Sequence, residues 1–279
     1  MTEITWIRII RPLNLAIVLF TQILATFYLL DVSFSISSIP NSIILIYAST
    51  ILITAGGYLI NDYYDIKIDY INKPDEVIAG RYIKRRWVLL FSIVAYAIAI
   101  LFGALISWRI FFLNTLSAFL LWFYSNHLKR QPFVGNFSVA LLTSLSLLIL
   151  GIHLSQLSDL LIIYSVFAFF ITLIREIIKD IEDYEGDKSF GCKTLPIILG
   201  TRKTKQIIYV LITIFFSLLS ILSYQSNNFI IMILFTVMSF LLVHFTYKVY
   251  RADTKQMFSN LSSYSKRLMV FGVLSMIFL

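Results

Sequence analysis

The sequence predicts an all-α, polytopic membrane protein with nine transmembrane helices, and three observations carry that expectation. Of its 279 residues 59% are hydrophobic and only 14% charged, with a mean hydropathy of +0.85, too apolar for the core and solvated surface of one water-soluble domain. Predominantly apolar runs near the ~20 residues that cross a ~30 Å hydrocarbon core fall at 13–30, 42–60, 88–107, 109–126, 134–152, 160–178, 207–224, 229–248 and 266–279. With nine spans, 22 of the 23 Lys and Arg residues lie in the N-terminal segment and every second connection, leaving Arg109 on the other side. Basic residues resist translocation, so the N-terminus is expected in the cytoplasm and the chain in the cell membrane.

The first run follows Arg8 and Arg11 and lacks a small-residue cleavage pattern behind it, which predicts a retained helix and not a signal peptide. Short outer connections are expected at about 31–41, 107–109, 153–159 and 225–228. The inner connections 61–87 and 179–206 are long and hold most of the acidic residues; long loops in compact proteins are usually functional. The last run is cut short by the chain end, which implies a tilted span in thin membrane or a native chain that continues a few residues. The whole of 1–279 is read as one membrane domain.

A net charge of +8 does not point to nucleic acid, because the basic residues sit beside span ends with no soluble basic and aromatic domain to present them. Orientation and attraction to anionic lipid account for them. Cys192 is alone, which excludes an intrachain disulfide and a cysteine metal site.

The two long connections resemble each other. The first begins "NDYYDIKIDYINKP" and the second "KDIEDYEGDKSFGCKTLP"; both carry D-x-x-D-x-x-x-D directly after an apolar run. The motifs follow spans two and six. This even offset predicts a parallel repeat of four helices, with the ninth appended and both motifs at one cytoplasmic vestibule.

If those spans continue helically, ~100° per residue sets Asp62, Asp65 and Asp69 on one face, and likewise Asp180, Asp183 and Asp187 with Glu176 one turn earlier. Carboxylates oppose the dipole at a helix C-terminus by about 0.3–1 kcal/mol each, and like charges one turn apart add a few tenths. Such a duplicated cluster needs cations, and oxygen donors without His or Cys point to a hard ion, Mg²⁺ ahead of Ca²⁺ or Mn²⁺. Mg²⁺ usually shares its shell with substrate phosphates. Two acidic helices therefore suit a diphosphate, with the metal neutralising the leaving group as a C–O bond breaks. An isoprenoid tail would lie among the helices.

At these residues the chain resembles the intramembrane prenyltransferases of the UbiA superfamily. The first motif of that family, N-D-x-x-D-x-x-x-D, stands here as Asn61, Asp62, Asp65 and Asp69, and its second, D-x-x-x-D, as Asp183 and Asp187 with Asp180 ahead. "RPLN" at 11–14, "YSNHLKR" at 124–130, "GN" at 135–136 and "REIIKDIEDYEGDKSFGCKTLP" at 175–196 support it. The resemblance implies two Mg²⁺ ions, one on Asn61, Asp65 and Asp69 and the other on Asp183 and Asp187, with Asp62 and Asp180 as direct ligands or close neighbours of them. It makes Lys129, Arg175 and Lys179 candidates to contact phosphate and Asn14, Tyr124 and Asn136 candidates to line the pocket.

Within the superfamily, "REIIKDIEDYEGDK" is most similar to the members that transfer a geranylgeranyl group to geranylgeranylglyceryl phosphate, making the second ether of a lipid precursor. Members with aromatic acceptors (hydroxybenzoate, homogentisate or naphthoate) share parts of the pattern and stand as the alternative. A cation-binding transporter is the distant one, because its path would need charges through several spans. One departure stands out: where the family commonly has an arginine-proline-rich stretch after N-K-P, this chain has Asp75, Glu76 and Val77. That leaves Arg81 or Lys84 to substitute for the missing cation.

Overall fold

The computed structural model describes residues 3–30, 39–225 and 229–279. The described residues are helical almost throughout, with one isolated bridge between Ala79 and Ile83. They form two compact units, Met1–Lys129 with Leu145–Leu161, and Arg130–Ser144 with Ile162–Leu279.

The first unit is organised around α3 (Asn41–Asn72), which packs on α2 (Pro12–Tyr28), α4 (Arg85–Ile106) and α5 (Trp108–Asn126), with the short α1 (Glu3–Ile9) against it. At 1.5 Å per residue its 32 residues reach about 48 Å. That exceeds the ~30 Å hydrocarbon core, so the acidic end runs beyond any single crossing. Gly56 allows α4 close approach: a Cβ there would lie 2.7 Å from the Tyr96 ring, and Ser92 Oγ donates to the Gly56 carbonyl at 2.9 Å. Buried polar side chains join the helices further. Gln22 donates to Thr50 at 3.0 Å and to the Ser146 carbonyl at 2.8 Å, and Asn114 donates to the Ala99 carbonyl at 2.8 Å. Where apolar surface meets lipid, such bonds and close backbone approach replace the hydrophobic drive between helices.

The division between units falls within α6 (Val134–Leu154), and α7 (Asp159–Glu182) starts in the first unit and runs through the second. Ser158 opens α7, its Oγ accepting from the Leu161 N–H at 3.2 Å. α7 buries Ile171, Ile174, Ile177, Ile178 and Ile181 in the second unit's core, with Phe215 of α9 (Leu195–Gln225) and Phe245 of α10 (Phe229–Arg251). α11 (Lys255–Ser275) closes against it, where Gly272 admits the Phe167 ring and Ser275 Oγ meets the Tyr164 hydroxyl at 2.7 Å.

Six helices among the described residues are long and apolar enough to cross a membrane: α3, α4, α6, α7, α9 and α10. With the family evidence below, the chain is an integral membrane protein. The other three expected spans correspond to less decisive helices. α2 is apolar but has 17 residues; α5 and α11 have 19 and 21 and fall outside the six. The run expected at 266–279 belongs to a helix that begins at Lys255, where Thr254 caps it by accepting from the Met257 N–H, and that passes after Ser275 into the 3-10 turn Met276–Phe278.

The two long connections are also shorter than expected. α3 continues to Asn72, so the first connection is 73–84 and not 61–87; the second, expected at 179–206, is largely helical, through α8 (Tyr184–Ser189) and the start of α9. The helix breaks only at Asp183, at 190–194 and at Gly200, whose φ of 78° favours glycine. The expected outer connections 31–41 and 225–228 lie mostly outside the described residues, at 31–38 and 226–228.

Candidate active site

In the first unit the helical extension of α3 sets Asp62, Asp65 and Asp69 one turn apart, with Asn61 beside them. Two cations come to this ladder from other elements. Arg11, from the start of α2, donates Nη2 to Asp62 Oδ1 at 2.8 Å and lies 4.8 Å from the Tyr58 ring centre. Lys129, in the 3-10 turn Leu128–Arg130 after α5, forms an ion pair with the buried Asp65 and reaches Asn61 Oδ1 at 3.5 Å. Burial works against the Lys129 charge. Asp65, with Tyr124 and Asp69 behind it, overrides that and holds the ammonium well above its ordinary pKa. Burial likewise opposes the Arg11 charge, and Asp62, followed by Tyr58, Asp69 and Asp65, raises its pKa over that opposition.

Lys129, expected at a phosphate, is thus paired with a carboxylate of the ladder, and Tyr124 lies near enough to act on its charge. Asn14 sits half-buried in the first turn of α2, three residues after Arg11. Arg11 itself was legible as an orientation signal and as the first residue of "RPLN", with no role at the ladder. Two features mark it as more: it is a cation at a helix N-terminus, where the dipole favours anions, and it precedes Pro12 in the left-handed region, at φ 54° and ψ 64°. Non-glycine residues are held there at a cost; here the backbone is bonded on both sides, Arg11 N–H to the Arg8 carbonyl and the Asn14 N–H to the Arg11 carbonyl, while the side chain pairs with Asp62.

The connection after α3 explains the Asp75, Glu76 and Val77 departure. Asp75 and Glu76 are exposed, whereas Val77 is 5% exposed. Ala79 and Ile83 are buried with Ile9, Leu59 and Val88. The stretch is anchored by apolar contact in place of an arginine. Arg81 is tied to its own loop, donating to the Pro74 carbonyl at 3.2 Å and lying over the Tyr82 ring, and Lys84 is the exposed residue before α4.

In the second unit the acidic motif is held differently. Asp180 lies on α7, Asp183 is the non-helical residue between α7 and α8 at φ −91° and ψ 10°, and Asp187 is buried on α8. The one continuous ladder expected from spacing is therefore broken at Asp183. Its hydrogen bonds nevertheless keep helical connectivity: Asp183 N–H donates to the Lys179 carbonyl at 2.8 Å and Asp187 N–H to the Asp183 carbonyl at 3.1 Å. Asn136 of α6 donates to Asp180 Oδ2 at 2.9 Å. Glu176 accepts from Arg175 Nη1 at 2.7 Å and from Lys179 Nζ at 3.2 Å.

Among the described residues no three His, Cys, Asp or Glu side chains converge as a ready metal cage. The donor set still fits a hard cation. It consists of carboxylate oxygens in both units and the Asn61 amide oxygen in the first, where Arg11 and Lys129 pair with two of the three aspartates. Mg²⁺ is typically bound through one or two carboxylates plus substrate phosphates and water, without an all-protein cage.

The sequence profile of the UbiA prenyltransferase family matches residues 16–265, and the chain belongs to that family. It is a membrane-embedded prenyltransferase. Among its relatives, the digeranylgeranylglyceryl phosphate synthase of Methanosphaera stadtmanae is 34% identical over 272 residues, covering 97% of each chain. A solved structure described for digeranylgeranylglyceryl phosphate synthase in membranes is 25% identical with a TM-score of 0.73, covering 98% of this chain and 96% of that one. A UbiA homologue from Archaeoglobus fulgidus, solved with DMAPP and Mg²⁺, has a TM-score of 0.68 at 18% identity and covers 99% of this chain and 100% of that chain; the likeness is one of fold.

Proposed function

We propose that this chain transfers a geranylgeranyl group from geranylgeranyl diphosphate to the hydroxyl of geranylgeranylglyceryl phosphate, using Mg²⁺. The bond between the allylic carbon and the diphosphate oxygen breaks, an ether bond forms and the hydroxyl proton leaves. When bound, Mg²⁺ would supply charge neutralisation of the departing diphosphate. Asn61, Asp65 and Asp69 would hold one ion, and Asp183 and Asp187 a second, with Asp62 and Asp180 beside them. Lys129 orients Asp65 and Asn61, Asn136 orients Asp180, and Tyr124 and Asn14 line the approach to the first ladder. The departing diphosphate accepts the proton.

The observation that carries this reading is the double set of carboxylates on helix ends, each paired with cations or amides from other positions, in a chain similar to a named digeranylgeranylglyceryl phosphate synthase over nearly its whole length. The finer topology goes with it: nine spans arranged as two four-helix repeats and one added helix, a single membrane domain, and a cytoplasmic N-terminus and site. Support for this comes from the apolar runs and the Lys and Arg distribution.

The test offers labelled geranylgeranyl diphosphate to purified protein with geranylgeranylglyceryl phosphate, 4-hydroxybenzoate, homogentisate or a naphthoate, and identifies products by mass. Magnesium-dependent labelling of the glyceryl phosphate lipid is expected. Product on an aromatic compound alone would move the assignment to the aromatic-acceptor members and keep the mechanism. No diphosphate release with any acceptor would remove the enzymatic reading.

A further inference from the structure

We propose that the seam between α10 and α11 binds an anionic phospholipid of the surrounding bilayer, with its phosphate between Lys248 and Arg267 and one hydrocarbon chain in the crevice beside Gly272. Every residue of this site belongs to the second unit.

Charge is lopsided along these two helices. Between Phe229 and the chain end stand five Lys and Arg and one acid, Asp253, and Asp253 is taken by Lys205 of α9 at 3.1 Å. Lys248 and Arg267 share an aromatic ring in place of a carboxylate: Lys248 Nζ lies 5.4 Å and Arg267 Cζ 5.2 Å from the Tyr264 ring centre. The exposed His244 stands at a right angle to the same ring, 5.9 Å away. A ring face attracts cations without neutralising them, and neither Lys248 nor Arg267 forms an ion pair among the described residues.

The register of the helices makes Arg267 the more demanding of the two. Tyr264 stacks on Phe245 at 5.7 Å, and Gly272 shares a crevice with Phe235 and Met238, so α11 runs antiparallel to α10. Arg267 is therefore about level with Leu242, near the middle of Phe229–Arg251, and not at the mouth of a span as the apolar run 266–279 suggested. An arginine at such depth is rare in membrane helices unless it is paired or reaches back to the interface. Arg267 turns toward Tyr264, on the side where α10 ends, and there one phosphate can meet it and Lys248 together. Basic pockets between membrane helices bind lipid headgroups, and phosphate bonds to guanidinium and ammonium are charge-assisted.

An apolar continuation makes the anion a lipid. Tyr264 and Gly272 are about 12 Å apart along α11 at 1.5 Å per residue, and Tyr264, Phe271 and Ser275 share one face of it. The crevice is lined by Leu234, Phe235 and Met238 of α10, Phe271 and Gly272 of α11 and Phe167 of α7. A headgroup at Tyr264 thus sets a hydrocarbon chain on its path, whereas a free anion would gain nothing from it. At ~100° per residue, Phe167 stands about 180° around α7 from Glu176 and about 140° from Asp180. The seam therefore faces away from the acidic side of α7, which separates a bound bilayer lipid from a reacting acceptor.

The test strips the purified protein of lipid in detergent and adds back one of five probes: dioleoylphosphatidylglycerol, dioleoylphosphatidylcholine, dihexanoylphosphatidylglycerol, geranylgeranylglyceryl phosphate or inorganic phosphate. Retained lipid is counted by native mass spectrometry, and stability is read as melting temperature. One copy of dioleoylphosphatidylglycerol should be retained in preference to the choline lipid and should raise melting by about 2 °C or more. The short-chain lipid should bind more weakly and inorganic phosphate should not compete. Arg267→Gln and Lys248→Gln should each weaken retention about tenfold, the scale of one charge-assisted bond. Arg202→Gln, which removes the same charge from an exposed position near the start of α9, should leave retention unchanged. If Arg267→Gln does not fold, Lys248→Gln, at an exposed position, carries the same expectation. Equal retention of the choline lipid, or an equal loss in Arg202→Gln, would overturn the site in favour of general charge attraction. Displacement by inorganic phosphate would make it a free-anion site, and preferential retention of geranylgeranylglyceryl phosphate an acceptor site; either result overturns the inference.

Discussion

Arg11 and Asp62 lie 51 residues apart in sequence and 2.8 Å apart in space, a guanidinium at the start of one helix closing on a carboxylate near the end of another. Arg11 makes this pair from the left-handed backbone region, at φ 54°, so charge and chain geometry meet at one residue. Replacement can separate the two. Arg11→Ala loses the ion pair and keeps the backbone penalty, whereas Arg11→Gly loses the pair but relieves the penalty, worth about 1 kcal/mol. Thermal unfolding in detergent should rank wild type above Arg11→Gly and Arg11→Gly above Arg11→Ala. Equal melting of the two variants would show that the backbone carries no strain there.

Asp65 and Lys129 form the more buried pair of the first unit, with side chains 4% and 25% exposed. Removing one partner of such a pair leaves a charge uncompensated, at about 3 kcal/mol. Lys129→Met should therefore destabilise strongly, and Lys129→Met with Asp65→Asn should recover most of that loss. Activity should not recover, because Asp65 would also hold metal. A double-mutant cycle on stability, run beside turnover, checks both halves.

Asp65→Ala and Asp183→Ala, one in each unit, are each expected to reduce turnover by about 10²-fold or more, the scale of losing a group that stabilises developing charge. Both proteins should remain folded. Near-normal turnover in either purified variant would refute the assignment of that carboxylate to the metal.

Asn136 donates to Asp180 within the second unit. Asn136→Ala should weaken stability by about 1–3 kcal/mol, since the carboxylate would lose a buried donor. Asn136→Asp should do more damage than Ala, by setting two carboxylates against each other. Melting temperatures that place Asp above Ala would exclude the bond as a support.

Gly56 sets the distance between α3 and α4. A methyl group there would meet Tyr96 at 2.7 Å, so Gly56→Ala should destabilise by about 1–3 kcal/mol through overpacking. Turnover at low temperature should survive, because the acidic ladder lies beyond this contact. Unfolding curves and assays on the same preparation decide it.

Much of this protein was legible one residue at a time. Apolar run length exposes membrane helices because bilayer thickness and helical rise are both constant. Aspartates at positions 62, 65 and 69 are visible as a candidate site because carboxylates gathered at a helix C-terminus have no local reason to be there. Other features depend on contacts between distant positions, which no local pattern contains. Where the α3 helix ends, at Asn72, was hidden by the polarity of its last turns. The break at Asp183, the burial of Val77 and the placing of Arg11 on Asp62 were likewise set by packing against other segments. Composition and spacing thus determined the solvent, the helices and the oxygen-rich chemistry. Tertiary structure decided which cation meets which carboxylate, because an ion pair is chosen by distance in space and residues 51 apart acquire one only after the chain has folded.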